Sequence, residues 1–447
     1  MTLLPRILQK FTRREDGALT AFGLFLSIAM ICVGGLGLDV ANAIMVRTHL
    51  QVAADSAAHA ALVAREYKTA DQAKVIGVSV AQTSLPASTF GDTINVNDIH
   101  FGTWDATTQT FSVDPTSDEA VRVSTQRLQS RTNGVSTYFL QFVGLYNIDV
   151  VTQSVFETYR PTCFLEGFVA ADIVDIQSNS TFGNGFCIHS NEHVEINNGN
   201  TFNNGTIVSM PNKADLVIPT DGFSSNPGLQ SALRSGSYQL RVLDRITDVI
   251  TYVDDPTSTY FRSDYVDIDP LTGLPPARVT LSHKDKLNNS NWTPGAVHEV
   301  NCNASNQKVT IPANTVLQRG VLITNCKVSF GANSEIQDII MISTSTQDDA
   351  FNGASGATIG RDDGCAVGGG SQLVTMGGMQ FPSDLQVYGG QLIAAKDISF
   401  AARIGGIEGV SMVAGGVIDG SSLINVGFCG GLGMDNNFMA EYFRLAT

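Results

Sequence analysis

Residues Ala18 to Leu38 form a run of 21 residues without a charge, preceded by Arg6, Lys10, Arg13 and Arg14 and followed at once by Asp39. As a helix rising about 1.5 Å per residue, this run reaches roughly 30 Å, the thickness of a bilayer's hydrocarbon core. Only Thr20 and Ser27 bring side-chain hydroxyls. The run therefore reads as one membrane-spanning helix, and the basic residues before it place the N-terminus in the cytoplasm. Everything beyond Asp39 is then expected on the far side of the membrane. A cleaved leader is the competing reading, with a small-residue site at Ala41-Asn42-Ala43. Against it, neither Pro nor Gly occurs between Val40 and Lys68, and the alanine-rich sequence carries the helix through that site.

Small residues recur along this helix at spacings of three and four. Gly23, Gly34, Gly35 and Gly37 lie in the span, and Ala53, Ala54, Ala57, Ala58 and Ala61 lie beyond it. Such a stripe allows another helix to approach closely. The stretch from Gly17 to Leu62, with Gly17, the Gly-rich end of the span, Asp39 and the tail RTHLQVAADSAAHAA at 47–61, resembles the N-terminal module of Tad (tight adherence, Flp pilus) proteins of the TadE/TadG-like group. Leu50, Gln51, Ala54, Asp55 and Ala58 fill the most specific places of that resemblance. It implies a pilus-assembly role, with pilus or secretion-platform proteins as partners of the N-terminal helix in the inner membrane of a Gram-negative bacterium. Pilin-type peptidases cut after a Gly and want Glu five residues on; Phe22 stands five after Gly17, which favours a permanent anchor.

The remaining composition suits an exported domain. Cys32 lies in the span, leaving Cys163, Cys187, Cys302, Cys326, Cys365 and Cys429 outside it. An even set in an oxidising compartment suggests three disulfides, with Cys163–Cys187 and Cys302–Cys326 as local candidates and the connectivity otherwise open. No C-x₂-C pair supports a metal cluster, and no metal or cofactor is expected. The formal net charge of −15 grows more negative once the basic tail is set aside. That surface excludes nucleic acid as a partner, because affinity for phosphates rests on positive charge.

The expected fold is mainly β behind the transmembrane helix. A basic tail (1–17) and the span (18–38) lead into a membrane-proximal alanine-rich helix (39–68). A small α+β domain follows at 69–160, with a helix over Thr69–Gln82, a hairpin turn at Asp105–Thr108 and a second apolar helix over Val135–Val143. From 163 to 430, apolar bursts of three to five residues alternate with Asn, Gly and Ser, as in Asn197-Asn198-Gly199-Asn200. With a rough repeat in the twenties, such as Gly389–Ile393 against Gly415–Ile418, this texture suggests a parallel β-helix, a β-sandwich being the alternative. A less repetitive insertion at 212–298 holds an expected helix over Leu229–Val253, and 431–447 reads as a tail.

Candidate chemistry in this region is thin. His189-Ser190-Asn191-Glu192-His193 matches H-x-x-E-H, a zinc pattern that needs a helix to aim residues four apart at one metal. Strand and turn sequence surrounds it, so it reads as coincidence. Asp348-Asp349 and Asp362-Asp363 are paired acids of the kind used in glycan hydrolysis, but the expected His-Gly and Arg-x-Lys elements are missing, Arg403-Ile404-Gly405 being a poor substitute. Asp255-Pro256-Thr257-Ser258-Thr259 departs from the D-x-S-x-S metal site of von Willebrand A-like domains. The resulting expectation is a non-enzymatic, single-pass inner-membrane component of Tad/Flp pilus assembly, its periplasmic domain acting as scaffold or adhesion module. The rival is a membrane-anchored glycan-binding or glycan-cleaving protein, with a surface glycan as ligand.

Overall fold

A computed structural model describes residues 17–421 and 424–446. The basic residues Arg6, Lys10, Arg13 and Arg14, and the orientation inferred from them, fall outside that range. The chain forms two compact units, residues 1–159 with 441–447, and residues 160–440.

In the first unit a single helix, α1, runs Ala18–Arg65 through the uncharged span and on without interruption. The next helix, α2, spans Ala70–Ser84 and starts on a capping box in which Thr69 and Gln72 satisfy each other's backbone N–H. An antiparallel sheet follows, ordered 110–113, 99–105, 120–127, 150–159 and 442–445. The hairpin at Asp105 is set by its carboxylate, which accepts from the N–H groups of Thr107 and Thr108. The expected helix over Val135–Val143 does not form. Val135–Ser136 instead pairs as a strand with Asn147–Ile148, and only Leu140–Val143 makes a 3₁₀ turn. Flanking Gly134 and Gly144, the latter at φ 88°, leave too short a stretch for a stable α-helix. The end of the chain supplies an edge strand, Tyr442–Leu445, paired with Phe156–Tyr159.

The second unit is a parallel β-solenoid, which rules out the sandwich. Every inter-coil pairing in it is parallel, and residues equivalent in successive coils sit in register: Val169, His189 and Ser209, for example, lie 20 residues apart on neighbouring strands. Buried Asn side chains close the corners, Asn200 Oδ1 accepting from Ser180 N–H and Asn226 Oδ1 from Asn200 N–H. The repeat is therefore about 20 residues, lengthened where corner loops intervene. Gly389–Ile393 and Gly415–Ile418 are not equivalent; residues 390–394 pair in register with 410–414. The 26-residue spacing mixed two different sides of the coil.

The stacking order departs from the chain order. Along one side the strands run 279–282, 297–301, 320–324, 339–343, 372–375, 390–394, 410–414, 167–170, 187–190, 207–210 and 233–235. The chain enters in the middle of the stack, builds outward to 235, and then returns through residues 236–278 to the opposite end. At ~4.8 Å per coil that return covers roughly 48 Å. Its residues Leu240, Val242, Ile246, Val249 and Val253 pack with Val169, Val413, Ile393, Ile340 and Val321, the outward faces of the strands just named. The inward faces, including Phe168, Ile188, Leu322, Met341, Leu392 and Met412, fill the solenoid's interior. Alternate residues of one sheet thus enter two separate cores, and the strands read as continuous apolar runs for that reason.

The return also corrects the reading of 212–298. Both 233–235 and 279–282 continue the stack, and Val217 bridges to Glu195. The expected helix Leu229–Val253 is broken into Leu229–Ala232, a strand, Arg241–Asp244 and Ile246–Tyr252. Pairing with Val208–Met210 captures residues 233–235 as strand, overriding their helical propensity.

Candidate membrane and assembly interface

Helix α1 presents two very different surfaces. In its first half Leu19, Phe22, Phe25, Met30 and Val33 are all more than 60% exposed, although each is strongly apolar. Beyond residue 45, Leu50, Ala53, Ala54, Ala57, Ala58, Ala61 and Leu62 are buried within the first unit's own core. The alanine stripe does receive another helix closely, and that helix is α2 of the same chain. A Cβ placed on Gly77 of α2 would lie 3.1 Å from both Ala57 O and Ala61 Cβ. Leu50, Ala54 and Ala58 therefore build the unit itself, and no outside helix reaches them while it is folded.

The polar motif residues tie the same helix to the sheet. Gln51 Nε2 donates to Asp55 Oδ1 at 2.8 Å and to Gln153 O at 3.0 Å. Thr125 Oγ1 donates to Leu50 O at 2.8 Å. Asp39, 1% exposed, accepts from three consecutive backbone N–H groups, those of Tyr138, Phe139 and Leu140, at 2.6, 2.9 and 2.7 Å. Gly35 lies under the same loop, where a Cβ would collide with the Phe139 ring. Around Gly34 and Gly37 nothing would meet an added Cβ, and Gly17 opens the helix exposed. Gly23, Gly34 and Gly37 thus face outward from the apolar run, with nothing among the described residues within 4 Å of an added Cβ.

The sequence missed the loop at 138–146, reading Val135–Val143 as an apolar helix. Its signal was legible: no charge occurs between Arg131 and Asp149, and Tyr138, Phe139, Phe142 and Tyr146 crowd the interval.

In the solenoid the pattern His189–His193 is split between two strands on different sides of a coil, 187–190 and 193–196. His189 is fully buried, its Nδ1 2.8 Å from Ser209 Oγ and its Nε2 3.0 Å from Asn191 Oδ1. Burial holds it below the usual imidazole range. His193 Nε2 lies 3.0 Å from Glu195 Oε1, so the two rings serve separate neighbours. The paired acids are likewise engaged: Asp349 with Lys327 at 2.6 Å, Asp348 with Lys396 at 2.7 Å and Asp363 with Arg361 at 3.0 Å. The first two pairs join segments 22 and 48 residues apart, the third lies within one loop, and Asp362 has no ion pair among the described residues.

The six cysteines of the second unit are all joined, Cys163–Cys187, Cys302–Cys326 and Cys365–Cys429. The first two each bridge 24 residues and staple neighbouring coils. The third spans 64 and fastens the corner loop after 360 to the last coil. Glu408 lies close to the third bridge, but both sulfurs are bonded to each other and offer no thiolate. Beside it Glu166, wholly buried, accepts from the N–H groups of Cys429 and Gly431; burial pushes its carboxyl up, and those donors pull the other way.

Two family models match the chain. One, described as a domain of unknown function, DUF7867, matches residues 167–430, more than half of the chain and nearly all of the solenoid. The other, described as putative Flp pilus-assembly TadE/G-like, matches residues 17–66, the length of α1. No curated protein and no solved structure matches.

Proposed function

Because this chain belongs to the DUF7867 family and carries a TadE/G-like module along its first helix, we propose that it is a single-pass, inner-membrane component of Tad/Flp pilus assembly. In this reading the basic tail stays in the cytoplasm, α1 crosses the membrane, and both compact units stand in the periplasm. The observation that carries it is the coincidence of the pilus-assembly match with an apolar helix whose first half is exposed and whose second half is the spine of a folded unit. A permanently anchored part needs that division of labour, since the span must face lipid or a partner while the spine holds the periplasmic unit.

The solenoid then serves as a non-enzymatic scaffold or an adhesive module. Its ion-paired acids and buried histidines support this over hydrolysis, and its fold is compatible with a glycan-binding role as well. Pilus or secretion-platform proteins would meet the chain at the outward glycines of the span. Deletion of the gene is expected to abolish piliation and surface attachment, scored by electron microscopy and adhesion counts. Normal pili and attachment in the deletion strain would overturn the assembly reading; normal pili with lost attachment would assign the solenoid to adhesion.

A further inference from the structure

The loop at 137–147 has a composition and a position that the anchoring role of α1 does not explain. Its side chains Phe142, Tyr146, Tyr138 and Leu145 are 80%, 65%, 57% and 55% exposed, an apolar and aromatic group on one short turn. A water-facing loop rarely gathers such a patch without an occupant. Here the occupant is indicated by depth. Phe139, Leu140 and Phe142 line an apolar groove of about 260 Å³ whose other wall is Ile28, Ile31, Cys32 and Leu36. Those four belong to the uncharged run of the span, up to eleven residues before Asp39, or roughly 16 Å along the helix axis.

Most backbone N–H groups of the loop are bonded within the protein. Asp39 takes the N–H groups of residues 138–140. Phe142 N–H bonds Phe139 O, Gly144 N–H bonds Gln141 O, Leu145 N–H bonds Leu140 O and Thr137 N–H bonds Tyr146 O. Thr137 Oγ1 also donates to Leu145 O. Non-helical backbone brought to membrane depth has to find partners for its polar groups, and these bonds supply most of them. Tyr138 and Tyr146 at the loop's two shoulders, with Phe142 at its tip, match the preference of aromatic rings for the membrane interface.

We propose that residues 138–146 insert into the leaflet at the Asp39 end of the span, as a second lipid contact clamped to α1 by the Asp39 carboxylate. The inference rests on the reading of Ala18–Leu38 as membrane-spanning. A helix plus an inserted loop fixes the tilt of the first unit against the membrane plane and its rotation about the helix axis, which one helix alone leaves free.

The test uses the full chain in lipid vesicles, with Cys32→Ser removing the one cysteine outside the disulfides. Nitroxide labels go on Val33→Cys in the span, Phe142→Cys and Tyr146→Cys in the loop, and Thr107→Cys in the exposed hairpin turn. Collisions with oxygen, which concentrates in hydrocarbon, are compared with those of a water-soluble nickel chelate. The oxygen-to-nickel ratio at 142 is expected at least about tenfold above that at 107 and close to that at 33, because a charged chelate is excluded from hydrocarbon. A ratio at both 142 and 146 equal to that at 107, with 33 still lipid-like, overturns the inserted loop and leaves the span intact. A water-like ratio at 33 as well overturns the spanning reading and the loop with it. Immobilised labels at 142 and 146 that neither reagent reaches would show a protein neighbour in place of lipid, and also overturn the proposal.

Discussion

Asp39 receives three backbone donors from a loop a hundred residues away, in a place where a second acceptor is hard to supply. Asp39→Ala is expected to leave α1 helical but release the loop. Amide hydrogen exchange at residues 138–140 should quicken by about tenfold or more, while protection in 120–127 stays unchanged. Two other residues set a pH response. His189 and His298 are both buried and both held below their usual pKa of 6.5 by burial, His298 also stacking on Trp292 at 4.0 Å. Their imidazoles charge in the unfolded chain before they do in the folded one. Stability is therefore expected to fall as pH drops through about 6.5 and to keep falling until the lower folded values are passed. Glu166 and Asp338, pushed up by burial, act in the opposite sense at lower pH. Denaturant midpoints of wild type and His298→Asn at pH 7.5 and 5.5 isolate the histidine contribution: the variant should lose less on acidification, and equal losses would contradict it.

Among the elements, the α1–α2 pair depends on the absence of side chains. Ala57 is fully buried against Gly77, so Ala57→Leu overfills the contact and should destabilise the first unit by about 1–3 kcal/mol, read as a lowered Tm in detergent. The coil-to-coil staple Cys302–Cys326 closes 24 residues, and its removal as the double Ser variant should cost roughly 3 kcal/mol, measured as a shift in denaturant midpoint under non-reducing conditions. Much of this was readable in advance. The span, the parallel coils and the two local disulfides follow from uncharged length, from Asn and Gly at corners, and from cysteines one coil apart. The destination of the small-residue stripe was not readable, because Ala54 and Ala58 would look the same against a foreign helix as against α2. Nor was residue 233 as a strand, since its partner at 208 is chosen by the stack and not by local propensity.

At the scale of the molecule, the sequence repeats identify coils without giving their order. Nothing in residues 167–182 says that their second neighbour is 411–426, since every coil edge offers the same parallel pairing. The returning segment 236–278 matters accordingly, and Val249→Asp, placing a carboxylate where exposure is 1%, should destabilise the second unit by roughly 3 kcal/mol. A solenoid in simple order would confine the damage to nearby repeats. Here the segment lies along many coils, so one cooperative transition of the whole unit is expected in denaturant, and a separate early step would argue against it.

The entry of the chain into the middle of its own stack has a consequence for biogenesis. An ordinary solenoid could fold coil by coil as it emerged from a translocation channel, each turn resting on the one before. In this protein the strand at 167–170 lacks one of its two neighbours until residues 411–414 have arrived. The second unit must therefore remain incomplete until nearly all of its chain is available, with apolar strand edges open to chaperones or to misassembly until then. Its folding then completes as a single late event.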